Sequence, residues 1–279
     1  MRGFGGAAGI GHRTGGLGRL AWLKETAEVE DLAPLAERLG KLFAKLSAID
    51  PRLAIISDNT AADQLAAEAH AAWNRIGEHE HSHFTPPKAH AVPSTAYVTA
   101  TAVNYCALAF PVVPLGHPDA AALSVAGRLL THQVLHPKLR EQGGAYGGGA
   151  GYQGGAATFA LTSYRDPRLE ATFADMRDSL RWLAECPDDA QAIKESVLGV
   201  LASLDAPGSP AGECRSRFAG DLKGTGPARL NAHRAAILAV TAEQVRAAAK
   251  RHLPPDGGVA AVICGPEAAA RLGWETISV

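Results

Sequence analysis

HPKLREQGGAYGGGAGYQGGAATFALTSYRDPRL, residues His136 to Leu169, is the stretch from which the fold of this 279-residue chain is read. Upstream of it, Pro118 opens a helix that the pattern Leu123, Ala126, Leu130, Val134 carries to about His136. A glycine-dense segment follows and reads as a turn. Ala156 to Tyr164 (AATFALTSY) is rich in β-branched and aromatic residues and predicts a strand. Asp166-Pro167 reads as a helix cap with a first-turn proline, and Leu169, Phe173, Met176, Leu180 and Leu183 mark the helix behind it.

Working outward, Ser94 to Phe110 reads as one strand. Helices follow over about 188 to 204, 211 to 222 and 226 to 238. Thr241 with Gln244 forms a capping box for a helix ending near His252, Val259 to Cys264 is a closing strand, and Trp274 to Val279 reads as one more. Strands and helices mix without strict alternation. That favours an α+β fold, a mostly antiparallel sheet with helices packed on one face. On the amino-terminal side, Leu32, Leu35, Leu39, Leu42, Phe43 and Leu46 predict an amphipathic helix over 31 to 48. Arg52 to Ser57 (RLAIIS) reads as a short buried strand, and Asn59 or Thr60 as the cap of a helix through Trp73 and Ile76. The run from Gly77 to Pro93 is polar, His-rich and carries three prolines, and is read as a linker. One strand between 1 and 76 is too little sheet for a second copy of the domain at 94–279, so 1–76 is read as the tail of a preceding domain of the same type.

Composition narrows the function classes. Lys and Arg total 27 against 28 Asp and Glu, a net charge of -1, which leaves no basic footprint for nucleic acid. No segment reaches the ~20 apolar residues of a membrane span. Cys106, Cys186, Cys214 and Cys264 are far apart and suit a reducing compartment, so a cytoplasmic location is expected.

Four constellations could carry chemistry. His132 and His136 lie four apart on a helix, but Gln133 stands where a zinc peptidase needs Glu as general base, and His136 sits at the helix end before Pro137. Neither is taken as a metal ligand. His79, His81, His83 and His90 fall in the linker, where a solvated loop is expected. Gly149 to Gly154 spells GxGxxG, but a helix precedes it and a strand follows, the reverse of a dinucleotide site. The fourth places Arg140 and Tyr146 around the pair Gly143-Gly144. Glycines let a ligand approach the backbone, and guanidinium and phenol supply hydrogen-bond donors suited to a peptide carbonyl or a developing oxyanion. A plain helix-to-strand turn with an exposed Arg fits the same spacing.

The stretch His136 to Leu169, with Pro207-Gly208-Ser209-Pro210, Ile237 to Val245 (ILAVTAEQV) and Gly273-Trp274-Glu275, resembles the carboxy-terminal part of the presequence-protease branch of the pitrilysin/insulinase zinc metallopeptidases. Leu20 to Asp58 resembles the end of that family's third homologous domain. The resemblance implies mitochondrial-processing-peptidase-like α+β domains, four to a protein, in two halves around a peptide-sized chamber. It implies that 1–76 is the remnant of the third domain, 77–93 a linker and 94–279 the fourth domain. The zinc motif His-x-x-Glu-His belongs to the amino-terminal half and is absent from this sequence. The implied partners are an unstructured peptide substrate and a zinc-binding half or subunit, with no nucleic acid and no membrane. No metal ligand or catalytic residue is assigned to this chain, and Arg140, Tyr146, Gly143 and Gly144 are the expected substrate-binding residues. The alternative is a non-catalytic peptide-binding or scaffolding subunit that pairs with an active metallopeptidase.

Overall fold

A computed structural model describes residues 15–47, 52–58, 60–73 and 92–279. His79, His81, His83, His90 and almost all of the expected linker lie outside the described residues. The chain forms two compact units, one of Trp22–Pro86 with Pro207–Pro227, the other of Met1–Ala21, Pro87–Ala206 and Ala228–Val279. The boundary near residue 21 falls inside the first helix, α1 (Leu17–Ala27).

In the first unit, α2 (Ala33–Ser47) is capped by Asp31, whose Oδ1 accepts from Ala33 N–H at 2.9 Å. Its apolar stripe is formed as expected, yet Leu39, Leu42, Phe43 and Leu46 are all exposed. The helix α3 (Ala62–Trp73) is capped by Asp58, which accepts from Thr60 N–H at 2.9 Å and Ala61 N–H at 3.2 Å, so the cap lies upstream of the positions expected from sequence. Arg52 to Ser57 is not a strand: it is exposed coil with no β partner among the described residues. A lone strand leaves its backbone groups to water, and propensity alone does not create one. Helix α7 (Pro210–Leu222) also belongs here, with Ser209 Oγ accepting from Gly212 N–H at 3.1 Å and Pro210 in the first turn.

The second unit holds a six-stranded sheet built from β1 (Thr95–Val98), β2 (Asn104–Pro111), β3 (Gly147–Gln153), β4 (Thr158–Asp166), β5 (Val259–Cys264) and β6 (Glu275–Ser278), in the order β3-β4-β2-β5-β1-β6. Three pairings are antiparallel, and β1 runs parallel to both β5 and β6, so the sheet is mostly antiparallel as expected. The expected single strand from Ser94 to Phe110 is in fact two. The chain turns at Thr101, whose Oγ1 accepts from Val103 N–H at 3.3 Å, and β5 inserts between the two strands.

The unit also holds α4 (Ala120–Leu130), a π-helix (Thr131–Gln142), α5 (Glu170–Glu185), α6 (Ala190–Leu204), α8 (Pro227–Leu238) and α9 (Ala242–His252). A short α10 (Pro266–Leu272), not anticipated from sequence, joins β5 to β6. The Thr241–Gln244 capping box is present. One sheet face presents Cys106, Leu108, Phe110, Phe159, Leu161, Ala260, Val262 and Cys264 to the core, where they meet Leu123, Leu130, Met176, Leu180 and Val245. Leu169, Phe173, Met176 and Leu180 all point inward, as the helical spacing implied.

Two local readings need correction. The helix does not end at His136 but continues through Pro137 to Gln142 as a π-helix. The wider π turn tolerates a residue without a backbone N–H and carries His136 well inside the helix. The glycine-dense segment is not a turn but the edge strand β3, in register with β4 from Gly147↔Tyr164 to Gln153↔Thr158.

Candidate functional site

The site lies where the π-helix, the diglycine and β3 meet. Leu135 and Leu139 anchor the π-helix in the core, which leaves Arg140 exposed on its last turn. The carbonyl of Arg140 accepts the N–H groups of Gly143 and Gly144, so the chain reverses immediately behind this side chain. Gly144 adopts φ +79°, a left-handed conformation that favours glycine. Gly143 is required for a different reason. A Cβ there would fall 2.0 Å from Nη2 of Arg168 and 2.6 Å from the Leu139 carbonyl oxygen.

Arg168 therefore lies across the diglycine and ties it to its surroundings. Its Nη1 donates to Asp175 Oδ2 at 3.0 Å and its Nη2 to the Lys138 carbonyl at 3.3 Å. Its backbone N–H donates to Oδ1 of Asp166 at 2.9 Å. Asp166, expected as a helix cap, is instead a fully buried carboxylate at the end of β4. Its Oδ2 accepts from Ser163 Oγ and from Thr172 Oγ1, the latter at 2.7 Å. Asn104 Nδ2 adds bonds to the carbonyls of Asp166 and Arg168, each at 3.1 Å. The SYRDPR stretch thus folds into a polar knot beneath the loop that holds Arg140 and Tyr146.

Beyond the diglycine, Tyr146 N–H donates to the Tyr164 carbonyl at 3.1 Å, and β3 begins. The Tyr146 ring is 73 % exposed and meets Tyr164 edge-on with centroids 6.0 Å apart; Tyr164 meets Tyr105 in turn at 5.2 Å. These three rings stand on the sheet face opposite the core. Gly147, Gly149 and Gly151 lie beside them, in register with Tyr164, Thr162 and Ala160.

A groove of about 1070 Å³ follows β3 along its whole length. Tyr146, Tyr164 and Gly147 to Gly155 form one side, and Arg128, Thr131, His132, Gly199, Val200, Leu204, Leu230 and His233 form the other. Open space lies where a Cβ would stand at Gly147 and Gly151, whereas Gly148 and Gly149 let the strand pack closely on Leu139 and Thr131. Thr131 closes the middle of the edge. Its hydroxyl accepts from Ala150 N–H at 2.8 Å and lies 2.8 Å from the Gly127 carbonyl oxygen. An edge strand invites pairing with other chains, and Thr131 blunts that tendency at Ala150. Burial, aided by Arg128 and His136, holds the His132 imidazole below its ordinary value, and burial does the same for His233. Both rings are thus biased to the neutral form.

Of the residues expected from sequence, Tyr146 lines this groove. Arg140 does not line it; it is exposed one loop away, joined to Tyr146 through Gly143 and Gly144. Arg128, Thr131 and His233 were not singled out by sequence reading. The spacing of Arg128 and His132, four apart on one helical face, was the available signal. Burial, with Asp166 close by, pushes the Cys106 thiol up to about 12, and burial also raises Cys186 and Cys264, which makes these three poor nucleophiles; Cys214 is exposed and lies outside the groove.

The family model of the peptidase M16 inactive domain matches residues 47–196. The chain belongs to the peptidase M16 family. It is 34% identical over 184 residues to the mitochondrial presequence protease of Yarrowia lipolytica, covering 66% of this chain and 18% of that protein. Against the Danio rerio presequence protease identity is 36% over 177 residues, 63% of this chain and 16% of the relative. The Gibberella zeae protein matches over 264 residues at 30% identity, 88% of this chain and 26% of the relative. The chain therefore spans about a quarter or less of these relatives. In fold it is similar to the M16 inactive domain of Pseudomonas fluorescens, with TM-score 0.52 and 17% identity over 72% of this chain and 51% of that one. It is also similar to pitrilysin, with TM-score 0.51 and 17% identity over 79% of this chain and 25% of that one.

Zinc is the metal this family implies, and the described residues do not fit it. No group of three or more His, Cys, Asp or Glu converges among them. His132 and His136 have ring centroids 5.6 Å apart with no third ligand beside them, and the next acidic residue along the helix, Glu141, is exposed.

Proposed function

We propose that this chain is the substrate-facing, metal-free portion of a zinc-dependent endopeptidase that degrades unstructured peptides. In this reading residues 94–279 are the fourth homologous domain and 1–76 the end of the third. The His-x-x-Glu-His motif is carried by a separate half or subunit. The observation that carries the reading is the groove along β3, with Tyr146 on its rim, in a chain of the M16 family. An extended peptide has the width for such a groove, and the glycines of β3 let its backbone approach closely. The phenol of Tyr146 then supplies a donor to a peptide carbonyl, strongest where negative charge develops on its oxygen, and the exposed guanidinium of Arg140, one loop beyond the groove, supplies donors to the peptide where it leaves the groove. Cleavage itself needs the metal-bearing half, so this chain's own contribution is to bind and orient.

Photo-crosslinking tests the binding reading. An unstructured peptide carrying a benzophenone side chain is irradiated with the chain, and the adducts are mapped by mass spectrometry. Adducts should concentrate at Tyr146 to Gly155 and be competed by unlabelled peptide. Adducts scattered elsewhere, or insensitive to competition, would contradict it.

A further inference from the structure

The two walls of the groove differ in charge. The strand side is glycine, alanine and tyrosine with Gln153 and Thr162, whereas the helical side carries the cation Arg128 between the neutral imidazoles of His132 and His233, and no carboxylate lines the groove among the described residues. Arg128 is exposed on α4 and makes no ion pair or side-chain hydrogen bond among the described residues. Its place is nevertheless built. The guanidinium lies against the backbone of α6 at Gly199, where a Cβ would sit 2.5 Å from Nε, 2.9 Å from Cζ and 3.0 Å from Nη2. An interior helix position taken by glycine costs about 1 kcal/mol relative to alanine. Here the missing methyl makes room for a cation. Beside it, His233 Nε2 is held 3.4 Å from Ser124 Oγ.

We infer that Arg128, seated on Gly199 and flanked by His132 and His233, is a carboxylate-binding point that gives the groove a preference for peptides bearing acidic side chains. The inference rests on the peptide-binding reading above and adds to it a charge class of substrate. A guanidinium offers paired donors that match a carboxylate, and with no acid among its described lining residues the groove leaves that capacity to the ligand. Tyr146 and the glycines grip the peptide backbone regardless of sequence, and Arg128 discriminates among side chains.

The test measures binding of the whole chain to three acetylated, amidated peptides of one length, built on the same Gly/Ser/Ala/Thr background. One carries spaced Glu, one Gln and one Lys, and a fourth, with Gln and a free carboxyl terminus, separates side-chain from terminal carboxylate. The Glu peptide should bind about fivefold more tightly than the Gln peptide, the scale of one partly exposed ion pair, and the Lys peptide more weakly than either. Arg128→Gln should erase the difference, and Arg128→Lys should keep part of it. Gly199→Ala should leave folding intact or improve it while reducing the Glu preference, because the methyl displaces the guanidinium. Equal affinity for the Glu and Gln peptides would overturn the inference and leave the peptide-binding reading standing. A free carboxyl terminus outperforming internal Glu would overturn the side-chain assignment, and failure of all four peptides to bind would overturn both.

Discussion

Replacing Gly143 with alanine probes the diglycine most sharply. The new methyl would lie 2.0 Å from Nη2 and 2.3 Å from Cζ of Arg168, and 2.6 Å from the backbone oxygen of Leu139. The guanidinium can swing away, but the carbonyl belongs to Leu139, whose side chain is fixed in the core, and cannot. Overpacking of this kind costs about 1–3 kcal/mol. Moving Arg168 also weakens its bonds to Asp175 and Lys138, which are partly exposed, adding about 1 kcal/mol. Urea denaturation followed by tryptophan fluorescence should therefore show a loss of about 2–4 kcal/mol. For a domain of this size that is a fall in Tm of roughly 5–15 °C. Gly147→Ala is the control, because nothing lies within 4 Å of its Cβ, and it should change stability by less than about 0.5 kcal/mol. Gly144→Ala should fall between them, near 1–2 kcal/mol, through its left-handed backbone at φ +79°. In an Arg168→Ala background the cost of Gly143→Ala should drop by about half. A Gly143→Ala protein as stable as the Gly147→Ala control, or an effect indifferent to Arg168, would refute the reasoning.

Other outcomes follow from the same geometry. Asp166→Ala should cost about 2–4 kcal/mol in chemical denaturation, since it strands the hydroxyls of Ser163 and Thr172 in the core. Thr131→Val should expose the outward groups of Ala150 at the sheet edge, and self-association by analytical ultracentrifugation should rise, while Thr131→Ser should stay monodisperse. His132 and His233 are held below the ordinary value of 6.5 in the folded chain. The folded state then binds fewer protons than the unfolded one, so their contribution is complete above pH 6.5 and is lost as pH falls through the lowered folded values. A stability–pH profile should slope downward below about pH 6.5. Replacing both histidines with Gln should flatten that part of the curve.

The helices were the most legible part of the sequence, because a 3.6-residue repeat such as Leu169, Phe173, Met176 and Leu180 records burial directly. The fold class followed, but three features depended on tertiary context. Gly147 to Gln153 lacks the side chains that normally announce a strand and is held in one by its pairing with β4. Arg52 to Ser57 has those side chains and no partner. Pro137 reads as a stop, yet the buried neighbours Leu135 and Leu139 carry the helix past it in π geometry. At the site, Tyr146 and the diglycine were legible because glycine marks backbone demands. Arg128 was not, since its significance comes from Gly199, seventy-one residues away in sequence and adjacent only in the fold.

The division of labour between this chain and a metal-bearing half is tested by zinc content and peptidase activity measured on one preparation. The purified chain alone should hold no stoichiometric zinc and leave a quenched fluorogenic peptide intact. Addition of a polypeptide supplying His-x-x-Glu-His should produce EDTA-sensitive cleavage that Tyr146→Phe reduces by about 10²–10³. One tightly held zinc and EDTA-sensitive turnover by the chain on its own would contradict the account.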